Sequence, residues 1–256
     1  MRLHIIGRRK RIPQQEFDEL AAPFFHKGSE LGCLILHGFT GTPANVRVIA
    51  DALASEGHTV YAPLLKGHAA TLFEMERASS DDWRQDALNA YMRLKDEGCT
   101  KIFLMGLSMG GLLMSLIASC HPCDGLVLMN TPFIMKRSLK NAMRASLLLR
   151  YVTTKGDPKN PYSQGYNGAP LRKLRDLEKL SLLSTKALNK ISCPILLIQS
   201  RADNRVDLKS VEVVENGAVN ASVRTIFLEN SPHGCSYGPE RDLVASYCLE
   251  FVKKYA

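Results

Sequence analysis

The five residues Gly106-Leu107-Ser108-Met109-Gly110 constrain this chain more than any other feature. They follow a short apolar run, residues 101–105, that reads as a strand, and they precede a helical stretch at residues 112–119. A serine between glycines at a strand-to-helix crossing stands on a strained turn, with its hydroxyl projecting at the edge of a sheet. The glycines leave room for the crossing, and the start of the following helix favours developing negative charge. The spacing therefore predicts a turn over residues 106–111 with Ser108 as a candidate nucleophile.

The rest of the chain supplies the sheet that such a turn needs. Cys33-Leu34-Ile35-Leu36, Thr59-Val60-Tyr61-Ala62, Leu126-Val127-Leu128-Met129 and Ile195-Leu196-Leu197-Ile198 are short apolar runs, and residues 224–228 read as a last strand. Between them lie helical stretches. Over residues 45–56, Val46, Ile49 and Leu53 recur at helical spacing. Ser80-Asp81-Asp82 opens another in the manner of an N-cap, running to about residue 97. Residues 242–254 close the chain. Continuously apolar strands are expected when both faces of a sheet are covered. The alternation implies an α/β fold: a mostly parallel sheet with helices on both faces. At 256 residues, with 45% hydrophobic and 23% charged, one core is expected rather than a disordered or fibrous chain.

Residues 134–190 interrupt that alternation and show no strand-like run. They hold 13 of the 33 Lys and Arg residues but only three acids, so the net charge of +8 belongs to this one segment. Residues 134–152 read as a basic amphipathic helix, with Lys136, Lys140 and Arg144 on one stripe and Leu139, Met143 and Leu147 on another. A Gly/Pro-rich loop at 156–170 and a second helix at 171–188 complete a helical insertion. A solvated helix face accounts for the stripe in one reading; attraction of an anionic lipid or acidic substrate accounts for it in the other. Localised charge, with nothing aromatic or motif-like beside the Arg8 to Arg11 run, argues against a nucleic-acid partner. No run approaches the roughly 20 apolar residues of a membrane helix, and residues 3–6 are too short for a signal-peptide core. The seven cysteines, an odd number, fit reduced thiols and a cytoplasmic location. Cys120-His121-Pro122-Cys123 has no second pair to make a zinc site.

A serine hydroxyl needs a base. In the order Ser–acid–His that suits a serine on this kind of turn, only His121 and His233 follow Ser108. His121 would lie about 20 Å down the helix after the serine, at the wrong end of the sheet. His233 follows the last strand and is the candidate base. The acid belongs in the loop after residues 195–199, where Asp203 is the first candidate and Asp207 the second; Asn130 leaves the other usual position without an acid. Oxyanion donors are expected from the backbone N–H of Met109 and from that of Phe39, in His37-Gly38-Phe39-Thr40-Gly41. Trp83 and the run at 147–149 read as packing rather than as a substrate platform.

These blocks, with Pro23-Phe24-Phe25, Lys66-Gly67-His68, Asp81-Asp82-Trp83, Cys193-Pro194 and Ser231-Pro232-His233, resemble the α/β-hydrolase superfamily. Within it the chain is similar to small bacterial carboxylesterases and monoacylglycerol lipases, from about residue 22 to its end. The resemblance implies Asp203 as the acid, His233 as the base, Phe39 and Met109 as oxyanion donors, and a core at 22–133 and 191–256. It also implies a small helical cap at 134–190. Residues 1–21 have no counterpart, and Asp207-Leu208 stands where the family often has a proline. The expected activity is hydrolysis of short- to medium-chain acyl esters, monoacylglycerols included, through an acyl-enzyme and with no metal or organic cofactor. A thioesterase or an aryl-ester (feruloyl-type) hydrolase on the same triad is the alternative. A non-catalytic ligand-binding member of the fold is a third reading, against which the complete set Ser108, Asp203 and His233 argues. The expected partner is a small-molecule ester, with neither nucleic acid nor stable membrane insertion; nothing indicates the oligomeric state.

Overall fold

A computed structural model describes residues 19–145, 149–153, 160–166 and 168–256. The chain enters through β1 (Phe24–His26) and β2 (Leu31–Leu36), then α1 (Arg47–Ser55) and β3 (Thr59–Ala62). Helices α2 (Leu72–Arg77) and α3 (Ser80–Asp96) lead to β4 (Lys101–Leu107), α4 (Met109–Ala118) and β5 (Gly125–Met129). Next come α5 (Arg137–Ala145), β6 (Tyr151–Thr153), β7 (Gly168–Pro170) and α6 (Lys173–Ala187). Finally β8 (Ile195–Ser200), α7 (Lys209–Gly217), β9 (Val223–Leu228) and α8 (Arg241–Tyr255) complete the chain.

Seven strands form one sheet in the order β1-β3-β2-β4-β5-β8-β9. All pairings are parallel except that of β1 with β3. Alternate residues of the central strands go to opposite faces. Leu34, Leu36, Leu104 and Leu128 join the layer under α3, α4 and α6. Cys33, Ile35, Met105 and Met129 join the layer under α1 and α8. Both layers are buried from solvent, which is why these runs had to be apolar at every position. From β2 the chain steps to β3 on one side and then to β4 on the other. The C-terminal edge at such a reversal is where open α/β sheets leave a crevice; Ser108 follows β4 at that edge.

Several boundaries differ from the sequence expectation. Gly106 and Leu107 still belong to β4, and α4 starts at Met109, so the turn contracts to Ser108 alone. The cap of α3 is Ser79 rather than Ser80: its hydroxyl accepts from the Asp82 N–H, and the Asp82 carboxylate takes the Ser79 N–H in return. Outside the basic segment three elements, β1, α2 and α7, have no assignment from the sequence.

The basic segment departs most. Its first helix covers Arg137–Ala145 rather than 134–152, and Tyr151 is already extended. The expectation of no strand is overturned, because β6 and β7 pair antiparallel, with Tyr151 opposite Pro170. Three-residue strands are too short to show alternation, and a proline is tolerated in a two-stranded ribbon. Leu147, Leu148 and residues 156–159 of the expected loop lie outside the described residues, as do Arg8 to Arg11 and most of residues 1–21. The expected stripe is broken: Lys136 precedes α5 and its ammonium donates to the Asp203 carbonyl, while Lys140 and Arg144 are exposed. Arg150 pairs with Glu76 at 2.6 Å and Lys179 with Asp81 at 3.2 Å. Exposed pairs of this kind contribute about 0–1 kcal/mol each, so they orient this segment over α2 and α3 more than they stabilise it. Trp83 is packing: it is fully buried, and its indole N–H donates to the Lys66 carbonyl at 3.0 Å.

The crossing from β4 to α4 leaves no space for side chains. A Cβ on Gly106 would stand 2.2 Å from the Gly110 carbonyl carbon, and one on Gly110 would stand 2.3 Å from the Leu36 carbonyl oxygen. Gly110→Ala is therefore expected to cost at least about 1–3 kcal/mol, read as a lowered urea midpoint. Gly57→Ala is the control: nothing lies within 4 Å of its Cβ position, but φ is +80°. It should cost only the left-handed penalty, about 1–2 kcal/mol.

Candidate active site

Among the described residues, three of the four non-glycine residues with positive φ stand at this edge: Thr40 (φ 65°), Ser108 (φ 55°) and Asn130 (φ 44°). Such conformations persist only where surrounding contacts over-determine them. Ser108 is held by its own N–H, which donates to the Met129 carbonyl at 2.8 Å, and by the start of α4. Its hydroxyl oxygen lies 2.8 Å from His233 Nε2. On the other side of the imidazole, His233 Nδ1 lies 2.8 Å from Asp203 Oδ2. The residues named from the sequence as nucleophile, base and acid are thus joined in one chain of hydrogen bonds.

Asp203 is 2% exposed, and its second oxygen accepts the N–H groups of Arg205 (2.7 Å) and Val206 (3.0 Å). Burial pushes its pKa up, but the imidazole and the two N–H groups outweigh that and hold it below the ordinary carboxylate value. His233 is lowered from the usual imidazole value, chiefly by burial, against the raising effect of Asp203. The ring is therefore neutral near pH 7, as a proton acceptor must be. Asp207, the second candidate acid, is used elsewhere: its carboxylate accepts the Lys209 N–H at 3.1 Å at the start of α7. His121 lies against the Tyr91 ring, with centroids 5.1 Å apart, beyond the end of α4. Cys120 is exposed, and Cys123 donates not to it but to Cys193, at 3.3 Å.

Phe39 lines the same cavity as Ser108, and Met109 directly follows the serine in the chain. Met109 is fully buried, so only its backbone could serve the site. Neither N–H donates to a protein acceptor among the described residues. The loop carrying Phe39 is fixed by two histidines to which the sequence reading gave no role. His68 Nε2 accepts the Thr40 N–H at 3.2 Å, and His37 Nε2 accepts the Leu65 N–H at 3.2 Å. Each ring must be neutral to accept. Burial lowers His37 to about 4, and burial together with neighbouring His37 takes His68 well below its ordinary value.

Two asparagines were missed as well. Asn45 takes the Thr42 N–H on its oxygen at 3.1 Å and donates to the carbonyls of Tyr162 and Gln164, at 2.7 and 3.0 Å. With the Tyr166 N–H on the Thr40 carbonyl at 3.1 Å, residues 160–166 are bound over the Phe39 loop. Asn130 donates to the His233 carbonyl at 2.8 Å and accepts the Ser200 N–H at 2.7 Å. The position without an acid therefore fastens the histidine loop to β8. Their only sequence signal was a polar residue at the edge of an apolar run; the partners were set by the fold. Together these elements enclose a small cavity, about 90 Å³, lined by Gly38, Phe39, Ser108, Gln164 and His233. Among the described residues, no three His, Cys, Asp or Glu side chains are placed to hold a metal ion, and no helix is long and apolar enough to cross a membrane.

Comparisons with known proteins show the family and the fold. A family model described as serine aminopeptidase, S33 matches residues 30–173. The thermostable monoacylglycerol lipase of Bacillus sp. (strain H-257) is 33% identical over 240 residues, covering 92% of this chain and 96% of that protein. A carboxylesterase of Bacillus subtilis (strain 168) is 28% identical, covering 91% and 96%. Among solved structures, one from work on the metagenome-derived lipolytic enzymes LipS and LipT superposes with a TM-score of 0.85 at 29% identity, over 91% of this chain and 98% of that one. The monoacylglycerol lipase of Paleococcus ferrophilus shares the fold, with a TM-score of 0.72 at 16% identity over 91% and 98%. The chain belongs to the serine aminopeptidase S33 family of hydrolases, with the α/β-hydrolase fold.

Proposed function

We propose that the protein is a serine carboxylester hydrolase that forms an acyl-enzyme on short- to medium-chain acyl esters, monoacylglycerols among them. The observation that carries this reading is the pair of 2.8 Å contacts joining Ser108, His233 and Asp203. His233 takes the Ser108 proton as the hydroxyl attacks the ester carbonyl. The N–H groups of Phe39 and Met109 stabilise the oxyanion, each contributing on the order of 3 kcal/mol. The alcohol leaves with the proton from His233, and water then attacks the acyl-enzyme by the same route. Asp203 holds the imidazole with its proton on Nδ1 and stabilises the imidazolium. The names of the relatives, a monoacylglycerol lipase and a carboxylesterase, support the substrate class.

In this reading the core spans 22–133 and 191–256, and residues 134–190 form a cap whose edge, at 160–166, covers the site. The exposed Lys140 and Arg144 of α5 extend the reading to contact with an anionic lipid surface or an acidic substrate. A cytoplasmic location is supported by the odd number of cysteines, all seven of them free thiols.

The test is hydrolysis of p-nitrophenyl esters from two to sixteen carbons. Activity should peak at short to medium chains, and Ser108→Ala should lose roughly 10⁴-fold or more while keeping its fold by circular dichroism. Asp203→Asn should lose about 10⁴-fold in kcat, whereas Asp207→Asn should stay within a few-fold. A fully active Ser108→Ala sinks the reading. Because burial lowers the His233 pKa below 6.5, the base form persists to lower pH than for a free imidazole. The acid limb of kcat/KM for the free enzyme should therefore have its midpoint below pH 6.5; a midpoint above 6.5 contradicts that electrostatic assignment.

A further inference from the structure

A second cavity, about 460 Å³, adjoins the first at His233, and the two share Ser163, Arg205, His233 and Tyr237. The larger of the two is in the size range of ligand pockets. The larger one does not touch Phe39 or Ser108. It opens on the imidazole side, where the group that receives the His233 proton must depart. On the proposed mechanism that group is the leaving alcohol.

The lining of this leaving-group cavity is one-signed. It includes Arg205 and Arg241, with Asn160 and Asn204, and no carboxylate among its described residues. The acids nearby are committed or remote. Asp203 lies beneath His233 and is fully hydrogen-bonded. Glu240 accepts the N–H groups of Glu229 and Asn230. Asp242 reaches Arg241 only at 3.9 Å and is 84% exposed. Arg241 is propped over the Tyr162 ring, 5.5 Å from its centroid, and no carboxylate among the described residues pairs with the Arg205 guanidinium. Two arginines lining one cavity give it a cationic character that favours a bound anion. Guanidinium geometry suits carboxylate and phosphate oxygens.

We infer that the preferred substrates are esters whose leaving alcohol carries an anionic oxyacid group, carboxylate or phosphate, held by Arg205 and Arg241. This rests on the ester-hydrolase reading above and narrows it: a simple glycerol ester would offer these two arginines no anionic group.

The test uses three acetyl aryl esters with the intact protein: 4-acetoxybenzoate, 4-acetoxyphenyl phosphate and neutral 4-acetoxybenzamide, with p-nitrophenyl acetate as a reference. At low salt, kcat/KM for at least one anionic ester should exceed that for the amide by about tenfold. Which anion wins distinguishes carboxylate from phosphate. The preference should shrink as NaCl is raised. Arg241→Gln and Arg205→Gln should each bring the anionic-to-neutral ratio several-fold closer to one. The ratio is the readout because a general loss of activity or folding does not move it. Equal kcat/KM for the anionic and neutral esters, or a preference that neither substitution changes, overturns the subsite and leaves the esterase reading standing. Folded protein inert on all four esters overturns both.

Discussion

Everything at this site depends on one strained residue. With φ at 55°, Ser108 turns the chain from β4 into α4 in a single step. A left-handed conformation costs an ordinary residue about 1–2 kcal/mol, and the surroundings enforce it here. The Met129 carbonyl holds the Ser108 N–H, and the backbone of Gly106, Gly110 and Leu36 approaches too closely for any side chain. The sheet makes the arrangement rigid, since β4 lies at its centre between β2 and β5. The crossing sets the hydroxyl within hydrogen-bond reach of His233.

The other groups reach that point through separate, individually modest bonds. Asn130 anchors the His233 loop to the end of β8, Asp203 is threaded on the N–H groups of Arg205 and Val206, and the two buried histidines clasp the Phe39 loop. A net hydrogen bond contributes only about 0.5–1.5 kcal/mol, but leaving a buried partner unmade costs more. The network therefore specifies geometry more than it adds stability. The basic segment follows the same logic: Met135 bridges to Val206, and the Lys136 ammonium meets the Asp203 carbonyl. The basic segment and the acid loop are thus fastened to each other.

How far the sequence could be read follows from what kind of signal each element leaves. The central strands were legible because full burial demands unbroken apolar runs, and the serine turn because only glycines fit beside it. Residues 203 and 233 were legible by position, as an acid after one strand and a histidine after the next. His37, His68, Asn45 and Asn130 were not, because a buried polar side chain is defined by its partners, and these lie up to 119 residues away, as Gln164 does from Asn45. The short ribbon of β6 and β7 was hidden for a related reason: three residues carry no period, and each strand exists only because the other pairs with it. The charge of 134–190 was visible, but its use was not, since Glu76 and Asp81 meet part of it from distant helices.

The central claim is that Ser108 is an activated nucleophile, and covalent labelling tests it most directly. A fluorophosphonate reacts with an activated serine hydroxyl and leaves a stable adduct whose mass locates it. The account predicts a single adduct on the peptide containing Ser108, absent from Ser108→Ala and suppressed when His233 is replaced by alanine. Labelling of another residue, or equal labelling of the Ser108→Ala protein, would contradict it.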